Sequence, residues 1–107
     1  LEPEVVDHRI NQALCYIEKP EEGQPMKGIQ MLAGLATSYP DSPAPPYQLA
    51  RLAVKTGQYD RALTRIEQAL KLDPEDSRIA CLAIDIYTAL NKPEEAAKLA
   101  DKCTGQN

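Results

Sequence analysis

The chain has no Trp, no Phe and a single His among its 107 residues. One imidazole cannot build a histidine metal cradle, and His8 has no nameable partner for acid–base work. Cysteine is also sparse. Cys15, Cys81 and Cys103 lie far apart, with no Cys-x-x-Cys and no Cys/His pair at ligand spacing. An odd number argues against a complete disulfide framework, so these cysteines are expected to act as small, free, buried apolar residues. Long apolar runs are missing, so no segment is expected to insert in a membrane. No basic start followed by an apolar run marks a secretory signal, although a chain opening on Leu1 leaves room for an upstream segment. Phosphate-loop, zinc and calcium-loop motifs are lacking. Catalytic residues, cofactors and metal ligands are therefore expected to be none, and the chain is not expected to be an enzyme.

What is present is globular in composition, 43% hydrophobic and 26% charged. Sixteen acids against twelve bases give a net charge of −4, which disfavours nucleic acid as a partner. The balance is uneven. Residues 1–43 carry three bases and seven acids, residues 44–71 five and two, and residues 72–107 four and seven. That pattern fits an ordinary solvated surface or a basic centre that steers an acidic partner.

Pro, Gly and Asn clusters punctuate the chain near 20–25, 39–46, 56–58, 73–76 and 91–93. Between them, apolar residues recur at three and four, which predicts helices. Six are expected, over about 4–19, 25–38, 46–56, 59–72, 76–90 and 93–103. Their stripes are Val6, Ile10, Ala13, Leu14 and Ile17; Ile29, Leu32, Ala33, Leu35 and Ala36; Leu49, Ala50, Leu52 and Ala53; Ala62, Leu63, Ile66, Ala69 and Leu70; Ile79, Leu82, Ala83, Ile86 and Tyr87; and Ala96, Ala97, Leu99 and Ala100. Strand-like alternation is missing. Glu67 with Lys71, and Glu94 with Lys98, are favourably ordered pairs four apart, each contributing about 0.2–0.5 kcal/mol.

Shifted against itself by 34 residues, the chain aligns Gly23, Gly57 and Asn91, which all tolerate the left-handed conformation that closes a helix. Gly28, Ala62 and Ala96 also align, as do Leu32, Ile66 and Ala100, and Pro40 with Pro74. The pattern reads physically: a turn residue, a small residue where two helices approach, apolar contacts, then a closing proline. Three antiparallel helix pairs follow, over roughly 4–38, 43–72 and 76–103. They are expected to share one continuous apolar core.

Gly57-Gln58-Tyr59-Asp60-Arg61-Ala62 through Ala69-Leu70-Lys71-Leu72-Asp73-Pro74 resembles the tetratricopeptide repeat family, whose 34-residue unit is helix–turn–helix. Tyr87, Ala96 and Cys103 continue the match in the third repeat. The first repeat diverges, with a Glu18–Pro25 loop about two residues longer, and Pro46 and Ala80 stand at the family's early Trp positions. The resemblance implies an all-α fold, a short right-handed superhelical solenoid of three stacked repeats (approximately 4–42, 43–76 and 77–103) in one domain of residues 1–107. It also implies a non-enzymatic scaffold that binds a peptide or another protein on the concave face made by the first helices.

On that face the expected residues are Tyr47, Gln48, Arg51 and Lys55 of the third helix, and Arg78, Cys81, Leu82 and Asp85 of the fifth. The first helix would add His8, Asn11, Gln12 and Cys15; a strict shift would instead offer Ala13 and Ile17, which read as core. Arg51, Lys55 and Arg78 would receive carboxylates, with Tyr47 and Asn11 contacting the bound segment. The alternative is that these residues are simply solvated, or that Asp85 neutralises Arg51 or Arg78. The family's set for a C-terminal carboxylate is not reproduced, since Cys15, Ala44, Gln48 and Leu82 hold several of its places. A second expectation is self-association, or continuation into a longer array, through an apolar open end at Ile86, Leu90, Leu99 or Cys103. That would make the chain a structural or oligomerisation module acting through this end or its convex face. The sequence does not specify a compartment; the chain is expected to be soluble, either cytoplasmic or the soluble part of a longer chain, membrane-anchored or not.

Overall fold

The computed structural model describes residues 3–18 and 25–105. Seven helices follow in order: α1 (Pro3–Glu18), α2 (Pro25–Ser38), α3 (Ala44–Lys55), α4 (Tyr59–Leu72), α5 (Ser77–Ala89), α6 (Pro93–Lys98) and α7 (Ala100–Thr104). No strand occurs among the described residues. Helix pairs stack side by side into a short right-handed superhelical array. The expected Gly23 turn and the long loop around it lie outside the described residues.

The turns repeat with the predicted period. Thr56 ends α3, Gly57 takes φ +74°, and Gln58 N–H donates to Ala53 O at 2.8 Å while Gly57 N–H donates to Val54 O at 3.0 Å. Thirty-four residues on, Asn91 takes φ 60°, Lys92 N–H donates to Tyr87 O at 2.8 Å and Asn91 N–H to Thr88 O at 3.1 Å. Both are the paired bonds that a left-handed residue permits at a helix end. Pro45 and Pro46 sit in the first turn of α3, where no helical N–H is lost, so α3 starts two residues earlier than expected.

The close-approach positions are all buried: Gly28, Ala62 and Ala96. Gly28 is the tightest, because a Cβ there would lie 2.4 Å from Ala13 O and 2.6 Å from Ile17 Cγ1.

Four expectations are corrected. The apolar interior is two clusters rather than one seam. Val6, Ile10, Ala13, Leu32, Leu35 and Leu49 form the first. Ala50, Ala62, Ile66, Ala69, Ile79, Ala83, Ile86, Tyr87 and Ala96 form the second. Helix α3 straddles them. The expected sixth helix is broken at Leu99 (φ −101°, ψ −2°), where Leu99 N–H donates to Ala96 O at 3.1 Å, so Ala97 and Ala100 point to solvent. Lys98 pairs with Glu95 at 3.6 Å rather than with Glu94, and Glu67 accepts a 3.4 Å hydrogen bond from the Tyr87 hydroxyl rather than holding Lys71. Finally, the cysteines are not all free and buried: Cys81 and Cys103 form a disulfide, and Cys15 is exposed. The odd count hid a pair because two cysteines on neighbouring helices meet without any local sequence motif.

Candidate functional site

Helices α1, α3 and α5 are the first members of their pairs and line one face of the array. Two adjacent pockets open on it. The first, of about 350 Å³, is lined by Tyr47 and Arg51 of α3 and by Ser77, Arg78, Cys81, Leu82 and Asp85 of α5. The second, of about 360 Å³, lies where the three helices meet and draws Asp7, Ile10 and Asn11 from α1, Tyr47 and Gln48 from α3, and Asp76, Arg78 and Ile79 from the start of α5. Tyr47 and Arg78 belong to both.

Tyr47 is the centre of the arrangement. The Arg78 guanidinium carbon is 5.7 Å from its ring centroid and that of Arg51 is 6.0 Å away. Both distances fall within the range where a cation is attracted to the ring face. Arg51 donates to Gln48 Oε1 at 2.9 Å, one turn back on the same helix. Arg78 pairs with Asp76 at 3.5 Å but keeps 75% of its side chain exposed. Neither arginine is paired with Asp85, so that expected route to internal neutralisation is not taken.

Asp76 holds the start of α5. Its Oδ1 accepts from Arg78 N–H at 2.8 Å and from Ile79 N–H at 3.2 Å, the bonds of a helix N-cap. Burial alone would raise this carboxyl. The Ile79 N–H, the Arg78 guanidinium and the Arg78 N–H outweigh it and hold the group below the ordinary aspartate value. The same carboxylate thus caps the helix and anchors the base of Arg78.

The structure brings together Asn11, Tyr47, Gln48, Arg51, Arg78, Cys81, Leu82 and Asp85 around the two pockets. His8 and Lys55 are exposed and line neither, and the exposed Cys15 also stands apart. Gln12 lies with Arg9 beside Met31 and Leu35 of α2, in a separate pocket. Each residue turns a helix by 100°, so a face made by Asp7 and Asn11 leaves His8 and Gln12 to one side. Asp7, Asp76 and Ser77 were not anticipated. Asp7 precedes Asn11 by four residues, and that spacing was the available signal.

The open end also differs from expectation. Ile86 is fully buried and offers no surface. Leu90 and Leu99 are half-buried against the second cluster, and Cys103 is joined to Cys81. No group of three or more His, Cys, Asp or Glu that could hold a metal occurs among the described residues, and no helix described is long and apolar enough to cross a membrane.

A family model described as tetratricopeptide repeat matches residues 47–105, more than half of the sequence. The chain belongs to the tetratricopeptide repeat family. DnaJ homolog subfamily C member 3 of Gallus gallus is 30% identical over 87 residues, 81% of this chain but 16% of that protein. Among solved structures, MamA AMB-1 superposes with a TM-score of 0.74 at 20% identity, over 95% of this chain and 54% of that one. MamA MSR-1 gives 0.70 at 19% identity, over 95% and 57%. At such identities the structural likeness shows the fold alone. The chain thus spans about a sixth of its curated relative. A tetratricopeptide repeat fold is that of a protein-interaction scaffold, and no catalytic family is indicated.

Proposed function

We propose that the concave face binds an extended segment of another protein, without chemistry of its own, and that Arg51 and Arg78 receive a carboxylate of that segment. The observation that carries this reading is the convergence of two guanidinium groups, from different helices, on one tyrosine ring beside open pockets. Tyr47 orients the two cations, and their exposed donors stay available to a planar, bidentate acceptor. Leu82 supplies an apolar floor in the same pocket, and Asn11 and Gln48 offer amides to a backbone in the next. Lys55 is left out of the contact set and acts only through long-range charge.

Fluorescence anisotropy with labelled nine-residue peptides rich in Asp or Glu tests the reading, with Gln-substituted peptides as control. The acidic set binds wild type and weakens as salt rises. An Arg51→Glu/Arg78→Glu variant loses tenfold or more. Equal binding by the two proteins, or by the two peptide sets, removes the assignment. The alternative of self-association through Leu90, Leu99 and the convex face is read from the same material by sedimentation at high concentration.

A further inference from the structure

We propose that the Cys81–Cys103 disulfide is a redox-modification site, taken by small thiols and dithiols, that clasps α7 onto α5 and releases it on reduction. The case rests on what else holds α7. This helix has five residues and none of them is buried. A helix so short has no stability of its own in water. Leu99, before it, breaks the continuity with α6, so α7 is not simply the last turn of a longer helix. Lys102 also pairs with Glu75, an ion pair that is half-buried on the Lys102 side and exposed on the Glu75 side. Pairs of that kind contribute little. Helix α7 lies along α5 without burying any side chain of its own, and the disulfide is the covalent tie between the two, joining residues 22 apart in sequence.

The bond is also within reach of a reductant. Cys81 and Cys103 are half-buried, not sealed in the core. Cys81 lines the open pocket of about 350 Å³ that Arg51 and Arg78 also line. A thiolate entering there meets the Arg51 and Arg78 guanidinium groups in the pocket wall. The exchange balances simply. A thiolate attacks Cys81 Sγ, the bond to Cys103 Sγ breaks, and Cys103 leaves as a thiolate that takes up a proton. A second thiol then attacks the mixed disulfide, frees Cys81 as a thiol and leaves the reductant as its own disulfide, two electrons having passed to the protein. A small disulfide runs the steps in reverse. Reduction places a thiol in the groove wall, one turn from Arg78 and one from Asp85, and frees the segment from Ala100 onward. Because the readouts concern thiols and α7, the proposal stands or falls independently of any groove ligand.

The test uses the whole chain, folded, in buffers spanning reduced to oxidised glutathione, quenched with iodoacetamide and weighed. Under oxidising conditions only Cys15 is expected to react, carrying either one alkyl group or one glutathione, and under reducing conditions three alkylated cysteines are expected. Hydrogen exchange on the same samples should show amide protection in residues 100–105 falling at least tenfold on reduction, with α3 and α4 unchanged. A Cys81→Ser/Cys103→Ser variant should match the reduced form in both buffers. Three alkylated cysteines in every buffer would show that the bond does not form. Alkylation of Cys81 and Cys103 only after unfolding would show an inert staple. Reduction that leaves α7 equally protected would show that the bond is not a clasp. Each of these three results overturns the proposal.

Discussion

Leu49 and Ala50 are consecutive residues of α3, both buried, and they belong to different clusters: Leu49 packs with Val6, Ile10, Ala13, Leu32 and Leu35, and Ala50 with Ile66, Ile79, Ala83 and Ile86. One hundred degrees of helical rotation separates their directions, so a single turn of α3 serves as the joint between the first helix pair and the rest. In a repeat array stability is a sum of unit and neighbour terms, which makes the effect of each residue local. Leu49→Ala is expected to cost about 2–4 kcal/mol. Its amide deprotection, followed by hydrogen exchange, should appear in α1 and α2 before α5. Ala50→Leu overpacks the other cluster at about 1–3 kcal/mol, with deprotection centred on α4 and α5. Uniform deprotection in both variants would mean one cooperative core, not two.

Two glycines of α2 should respond oppositely to the same change. Gly28 faces Ala13 O and Ile17 across the contact with α1, and backbone cannot move aside easily. Gly28→Ala is expected to destabilise by about 1–3 kcal/mol. Gly34 has nothing within 4 Å of a Cβ and lies in a helix interior, exposed. Gly34→Ala should therefore stabilise by about 0.5–1 kcal/mol, through chain entropy alone. Thermal unfolding followed by circular dichroism separates them: the midpoint falls in one variant and rises in the other.

The repeat was legible because its constraints are local. Gly57 and Asn91 must reach positive φ, Ala62 and Ala96 must be small, and each requirement shows in one residue's identity. What stayed hidden depends on placement in space. The pairing of Cys81 with Cys103 requires the break at Leu99 and the docking of α7 on α5, neither of which has a sequence marker. The first repeat departs from the 34-residue period, so the sequence does not separate Asp7 from His8 and Gln12 on the face of α1. The division between Leu49 and Ala50 follows from how α3 is seated, and both read equally as core.

The two helix-closing turns give a matched pair. Gly57 takes φ +74° and Asn91 φ 60°, with the same two backbone hydrogen bonds around each. An L side chain without a local hydrogen-bonding group is strained there by about 1–2 kcal/mol. Gly57→Ala and Asn91→Ala should each lower stability by about that amount, while Asn91→Gly should remain within about 0.5 kcal/mol of the parent. Chemical denaturation gives all three values. A neutral Gly57→Ala would mean that the turn relaxes to another geometry.

Asp76 links stability to acid. Its carboxylate is held below the ordinary value because, although burial opposes charge, the Ile79 N–H, the Arg78 guanidinium and the Arg78 N–H together favour it. A group with a depressed folded pKa contributes stability that is present above the unfolded value, about 3.9, and is lost as pH falls through the folded one. Asp76→Ala should cost about 1 kcal/mol at neutral pH. Asp76→Asn keeps an acceptor for the helix N–H groups and should cost less, but it cannot titrate. Comparing denaturation midpoints of the three proteins between pH 7 and pH 2.5 decides the matter. The difference between the parent and Asp76→Ala should be constant from pH 7 to about 5 and shrink below about 4. A difference that persists unchanged at pH 2.5 would mean that the cap does not act through its ionised form. In that case Arg78 would lose its anchor only through packing, and its approach to Tyr47 should be insensitive to acid.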